Sequence, residues 1–199
     1  PHKITRLFYP TVTWKQEVTE KHIWLTFDDG PCPKSTPWIL SILKETNIKA
    51  TFFLIGQEMI KYPELVSMIN SEEHILANHS YSHLNGWLCS NKLYLKDIEK
   101  CQKLMPKNIL FRPPYGKIWP WQIKKISENY KIILWDILSE DFRKKISPIQ
   151  IKSNVINNIE AGSIIVFHNN SNSYKKLKPI LRDIIINIKD KGYSFSTSW

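Results

Sequence analysis

The sequence predicts an α/β fold built on parallel strands, and two observations carry that prediction. Short β-branched or aromatic runs alternate with longer segments of helical period. In addition, Asp28, Asp29, His79, Arg112, Asp141 and His168 each fall just beyond the C-terminal end of a predicted strand. Parallel β/α folds gather such ends on one face, where barrels place their sites. At 199 residues the chain is the size of one large domain, and no Pro/Gly/Ser-rich stretch, charge run or repeat divides it.

Ile23–Phe27 reads as the first strand. Thr36 and Pro37 read as a cap followed by proline at the first helical position, with Ile39, Leu40, Ile42 and Leu43 as the buried stripe. Ala50–Ile55 is expected to be a strand, Pro63–Asn70 a helix opening on proline, His74–Asn78 a strand, and Lys92–Leu104 a helix turning Leu95, Ile98 and Cys101 inward. Ile109–Phe111 is expected as a short strand. Helices are expected at Ile118–Asn129, Pro148–Glu160 and Lys176–Lys189, and strands at Lys131–Trp135, Ser163–Phe167 and, last, Tyr193–Phe195.

Lys and Arg outnumber Asp and Glu by 28 to 18, and the excess is lopsided: residues 1–99 hold 10 against 11, residues 100–199 hold 18 against 7. A solvated Lys-rich surface accounts for this, and an anionic polymer would also meet it. No RNP, zinc-finger or helix-turn-helix pattern accompanies the charge, so no nucleic-acid partner is expected. Cys32, Cys89 and Cys101 are odd in number without CxxC spacing and are expected to be free thiols. Pro1–Phe8 holds no long apolar run, so neither a signal peptide nor a membrane span is expected. Unpaired cysteines then fit a cytoplasmic location, and a removed leader would fit an extracytoplasmic one.

Three segments carry chemistry. Thr26-Phe27-Asp28-Asp29-Gly30 supplies adjacent carboxylates at a strand end. Such carboxylates repel unless a cation or an Arg offsets them, although a lone Asp-Asp-Gly is as readily an acidic turn. His79-Ser80-Tyr81-Ser82-His83 places two imidazoles four residues apart, on one side if the chain turns helically after the strand. Two His and one carboxylate can hold zinc with a position open for water, leaving a second carboxylate as base. Arg112-Pro113-Pro114-Tyr115-Gly116 is a stiff turn in which Arg112 is placed to orient and charge-balance Asp28 and the Tyr115 N–H to face an oxyanion. His168, ending an apolar strand, suits protonation of a leaving amine if it faces the same cavity. Trp87, Trp119 and Trp121 lie close to these segments. His2, His22 and His74 read as ordinary surface or packed residues.

In this order the three segments resemble the signature of the NodB-type polysaccharide deacetylases, carbohydrate esterase family four, from about Lys21 to about residue 197. The resemblance implies a single domain over residues 1–199 with a distorted (β/α) barrel. It implies hydrolysis of an acetyl group, commonly from an N-acetylglucosamine unit of a peptidoglycan-like or chitin-like glycan, with release of acetate. By resemblance Asp28 is the base, and Asp29, His79 and His83 hold Zn²⁺, or another divalent ion such as Co²⁺. Arg112 tethers the base, the Tyr115 N–H is the oxyanion donor, and His168 is the acid, polarised by Asp141. The family's fourth segment usually reads Asp-x-x-Asp-Trp; here Leu138-Ser139-Glu140-Asp141-Phe142 keeps only the second Asp. An N-acetylated glycan partner and a monomer are expected. O-acetyl xylan, a small non-sugar amide, or a catalytically silent glycan-binding role are the alternatives.

Overall fold

The computed structural model of the protein describes residues 9–105 and 107–199; His2 and the Pro1–Phe8 segment lie outside the described residues. In chain order the elements are β1 (Val12–Thr13), β2 (His22–Asp29), α1 (Thr36–Glu45), β3 (Thr51–Leu54), α2 (Gly56–Lys61), α3 (Pro63–Ser71), β4 (Ile75–Asn78), α4 (Asn91–Gln102), β5 (Leu110–Phe111), α5 (Pro120–Ile126), β6 (Lys131–Ile133), β7 (Ile137–Leu138), α6 (Pro148–Ile156), β8 (Ile164–His168), α7 (Ser171–Leu177), α8 (Leu181–Asp190) and β9 (Ser194–Phe195). Every strand pairing is parallel, in the order β1-β6-β5-β4-β3-β2-β8-β7, with β9 on the start of β2. Among the described residues no pairing joins β1 to β7, so the barrel is distorted and left unclosed.

The two-residue period of β2 divides its side chains between two environments. Ile23, Leu25 and Phe27 pack outward with Ile39, Leu40, Leu43, Ile184, Ile185 and Ile188, the buried stripes of α1 and α8. Trp24 points the other way, into a cluster with Phe53, Ala77, Leu110, Ile133 and Ile164. Burying each large apolar side chain contributes roughly 1.5–3 kcal/mol, so both faces of this strand are pinned and its register is fixed. Thr26 and Asp28 share the face of Trp24, which brings a carboxylate to the rim of that interior. The N-terminal end of that interior is filled by Trp199, whose ring lies 6.3 Å from Trp24 and 6.4 Å from Phe53.

The predicted strands and helices recur with shifted ends, and several expectations need correction. Ser35, not Thr36, flanks α1, and Pro37 is its second residue; Thr36 instead accepts a hydrogen bond from the Cys32 N–H at 2.8 Å. In α1 and α4 the buried stripes exclude Ile42 and Leu95, which are half-buried. The helix expected over Lys176–Lys189 is two, α7 and α8, separated at Pro179, which has no N–H to continue the ladder. α5 starts at Pro120 and ends at Ile126, and α6 ends at Ile156. β1, β7 and α2 were not expected. Cys32, Cys89 and Cys101 are free. Among the described residues no helix is long and apolar enough to cross a membrane.

Candidate active site

Parallel pairing aligns the candidate site residues at one end of the sheet. Asp28 and Asp29 are the last two residues of β2, with Asp28 in register with His168 across β8. His79 follows β4 directly, Arg112 follows β5, and Asp141 lies three residues after β7. Successive residues of a strand point to opposite faces, yet Asp28 and Asp29 both line one cavity of about 310 Å³. Asp29 has φ 81°, which takes it out of the strand alternation. Gly30 then allows close approach of the neighbouring strand end, since a Cβ there would collide with the Asn169 side chain.

Arg112 is wholly buried. Its Nη1 donates to Asp28 Oδ1 at 2.7 Å and to Thr26 Oγ1 at 2.6 Å, its Nε to the Ile133 carbonyl at 3.2 Å and its Nη2 to the Leu134 carbonyl at 3.0 Å. The guanidinium lies 4.0 Å from the Phe53 ring centroid. Burial lowers its pKa while the charge and hydrogen bond of Asp28 oppose that shift; a guanidinium keeps its proton throughout. Asp28 is thus held by a fixed positive charge at one oxygen.

His79 donates from Nδ1 to the Arg112 carbonyl at 2.8 Å, because a carbonyl can only accept, and its Nε2 therefore carries the lone pair. That Nε2 lies 3.8 Å from Asp29 Oδ1, and His83 Nε2 lies 3.3 Å from the same oxygen. The ligand atoms of Asp29, His79 and His83 all fall within 4.8 Å of one another. Burial pushes the His79 pKa down to about 4; the nearby His83 adds to this, and Asp28, Asp29 and the Arg112 carbonyl oppose it. Burial raises the Asp29 pKa, but the His83 hydrogen bond and the charges of His168, His79 and His83 outweigh it and leave it well below the usual carboxylate range. At neutral pH a lone pair of His79 thus confronts an ionised carboxylate, two acceptors with no proton between them. A divalent cation fits that arrangement.

The helical turn expected between the two histidines is absent. Ser80 and His83 have φ of 63° and 56°, and the loop, not a helix face, brings the rings to 5.1 Å. Beyond these three residues, His168 Nδ1 lies 2.6 Å from Asp141 Oδ1, and the His168 N–H donates to Asp141 Oδ2 at 2.8 Å. Burial lowers the His168 pKa, but the charge and hydrogen bond of Asp141, with help from Asp29 and Asp28, raise it to about 9. Tyr115, in the left-handed region at φ 60°, places its hydroxyl 3.1 Å from His83 Nδ1 and lines the cavity with Trp135, Leu138, Phe142 and Val166.

The family model for polysaccharide deacetylase matches residues 15–132, a stretch that holds Asp28, Asp29, His79, His83 and Arg112. The chain belongs to the polysaccharide deacetylase family. A peptidoglycan-N-acetylglucosamine deacetylase of Bacillus cereus is 38% identical to it over 182 residues, 87% of this chain; the chain spans 65% of that relative's length. The crystal structure of a peptidoglycan N-acetylglucosamine deacetylase in complex with 4-naphthalen-1-yl-N-oxidanyl-benzamide has a TM-score of 0.88 at 34% identity, covering 94% of this chain and 90% of that one. A pseudoenzyme of carbohydrate esterase family four from Bacillus anthracis has a TM-score of 0.83 at 26% identity, covering 92% of this chain and 66% of that one.

In this member of the polysaccharide deacetylases the altered fourth segment is accommodated at the cavity wall. Phe142 stands edge-on to His168, centroids 5.1 Å apart, and Leu138 faces the same space. Two supporting residues were missed by sequence reasoning. Asn170 donates from Nδ2 to Asp29 Oδ2 at 2.7 Å; its place two residues after a strand-ending His and just before a helix was the available signal. Asp97, on the buried stripe of α4, accepts from the N–H groups of Tyr81 and Ser82 at 2.9 and 3.0 Å and from Ser82 Oγ at 2.5 Å. A carboxylate between Tyr94, Ile98 and Cys101 was its signal.

Proposed function

We propose that the protein is a zinc-dependent hydrolase that removes acetyl groups from N-acetylglucosamine units of peptidoglycan and releases acetate. The observation that carries this reading is the convergence of Asp29, His79 and His83, an Arg-held Asp28 and an Asp-held His168 on one cavity. Asp29, His79 and His83 would hold the ion, and when bound it supplies a Lewis acid that polarises a carbonyl and acidifies water. Asp28 accepts the proton of the attacking water, held in position by Arg112. The Tyr115 N–H donates to the oxyanion that develops at the acetyl carbonyl oxygen as water attacks the carbon. His168, protonated at neutral pH, passes its proton to the departing nitrogen. Trp135, Leu138, Phe142 and Val166 give the acetyl methyl an apolar wall. The substrate class is supported by the named activities of the relatives, of which this chain spans 65% of one and 90% of another.

Acetate released from peptidoglycan fragments, N-acetylglucosamine oligomers and acetylated xylan tests it. Release is expected chiefly from the N-acetylated glycans, to stop on chelation and to return with zinc. Zinc binding without acetate release from any of them would instead favour a silent glycan-binding protein, to which the Leu138 and Phe142 replacements point.

The pH profile tests the acid. His168 with its pKa raised is competent below that value and loses its proton as pH rises through it, so the rate has an alkaline limb. A cation on Asp29 offsets that carboxylate's share of the shift, whereas the share of Asp141 remains. Asp141→Asn should therefore move the alkaline limb to lower pH and reduce kcat at pH 8 about tenfold or more. An unmoved limb would remove His168 from the role.

A further inference from the structure

The catalytic steps leave unused three exposed indoles that stack on one another. Trp119 is the middle one, its ring 4.9 Å from Trp121 at an interplanar angle of 10° and 5.6 Å from Trp87 at 36°. Trp87 and Trp121 are 48% and 54% exposed. Rings of this size stabilise a fold when covered, and here they stay exposed while the backbone beneath them is tied down. Buried Gln122 accepts from the Trp119 N–H at 2.9 Å and donates to the Gly86 carbonyl at 2.9 Å and to Asn91 Oδ1 at 3.2 Å. Asn91 Oδ1 also accepts from Trp121 Nε1 at 3.2 Å. A Cβ on Gly86 would lie 2.6 Å from the Lys117 carbonyl, so the two loops close only over glycine. The stack is preorganised at a fixed place.

That place is tied to the cavity by short stretches of chain. Trp87 follows His83 by four residues and Trp119 follows Tyr115 by four, and both His83 and Tyr115 line the cavity. Four residues separate Cα atoms by at most about 14 Å. We propose that the Trp87–Trp119–Trp121 stack is an extension subsite that binds the pyranose rings of the glycan beyond the unit being deacetylated. The apolar faces of those rings lie on the indoles, and Lys117, with its ammonium 5.3 Å from the Trp87 ring centroid, offers a donor to their hydroxyls. The identity of the glycan rests on the deacetylase reading, but binding to the stack needs no turnover.

Calorimetric binding of N-acetylglucosamine oligomers from dimer to hexamer, in chelator, separates the two. Trp121→Ala and Trp87→Ala should each weaken the hexamer about tenfold and the dimer by less than about threefold; Trp121→Phe, which keeps a ring, should recover most of the loss. The KM for acetate release should follow the same length dependence. Equal losses at both lengths, or none, would overturn the subsite, as would a change in sedimentation showing that the indoles join two copies of the chain. Length-dependent binding with no acetate release from any glycan would leave the subsite standing and overturn the deacetylase reading alone.

Discussion

Asp28→Asn should lower turnover by about two to four orders of magnitude, the contribution of a positioned general base, while metal content stays near that of the unaltered protein. The change removes the proton acceptor but keeps an oxygen that Arg112 Nη1 can reach. It also leaves a wholly buried guanidinium without its counter-charge. Unpairing a buried ion pair costs about 3–5 kcal/mol, and the remaining bonds from Arg112 to Thr26, Ile133 and Leu134 bring the expected loss to the low end. A lower melting temperature should therefore accompany the kinetic loss. Elemental analysis and acetate release on the same sample separate the two effects; turnover at the original rate would show that Asp28 is not the base.

His79→Ala should behave differently, losing the metal itself. Partners that merely orient a ligand change metal affinity by about 10–100-fold, so removing the ligand should cost at least about a hundredfold. It also empties a buried site and strips the Arg112 carbonyl of its donor. His83 is only partly buried and makes no bond to Arg112. His83→Ala should therefore lose metal to a similar extent with a smaller drop in thermal stability. Unchanged metal content in either variant would mean that the ligand set is wrong.

The sequence announced the strand ends, because Asp28, Asp29, His79, Arg112 and His168 are local punctuation after apolar runs. It did not announce the loop between His79 and His83. The stretch between its left-handed residues is held by Asp97, which is 15 and 16 residues away from Ser82 and Tyr81, and left-handed Ser80 by Asn78, whose Oδ1 accepts from the Ser80 N–H. Residue spacing says nothing about partners that only the fold brings near. The break between α7 and α8 was different: Pro179 stood inside the expected helix and forbade it. β1 and β7 hold two residues each and have no pattern long enough to read; they are strands because β6 and β8 offer them unpaired edges.

Asn170 gives the site a mechanical consequence. One end of its amide holds Asp29 Oδ2, and the other accepts from the N–H groups of Asn172 and Ser173 at the start of α7. One side chain is thus both the brace of a charge-bearing carboxylate and the first stitch of a helix. The orientation of Asp29 and the N-cap of α7 therefore depend on one amide, so a change at Asn170 is expected to be felt at both.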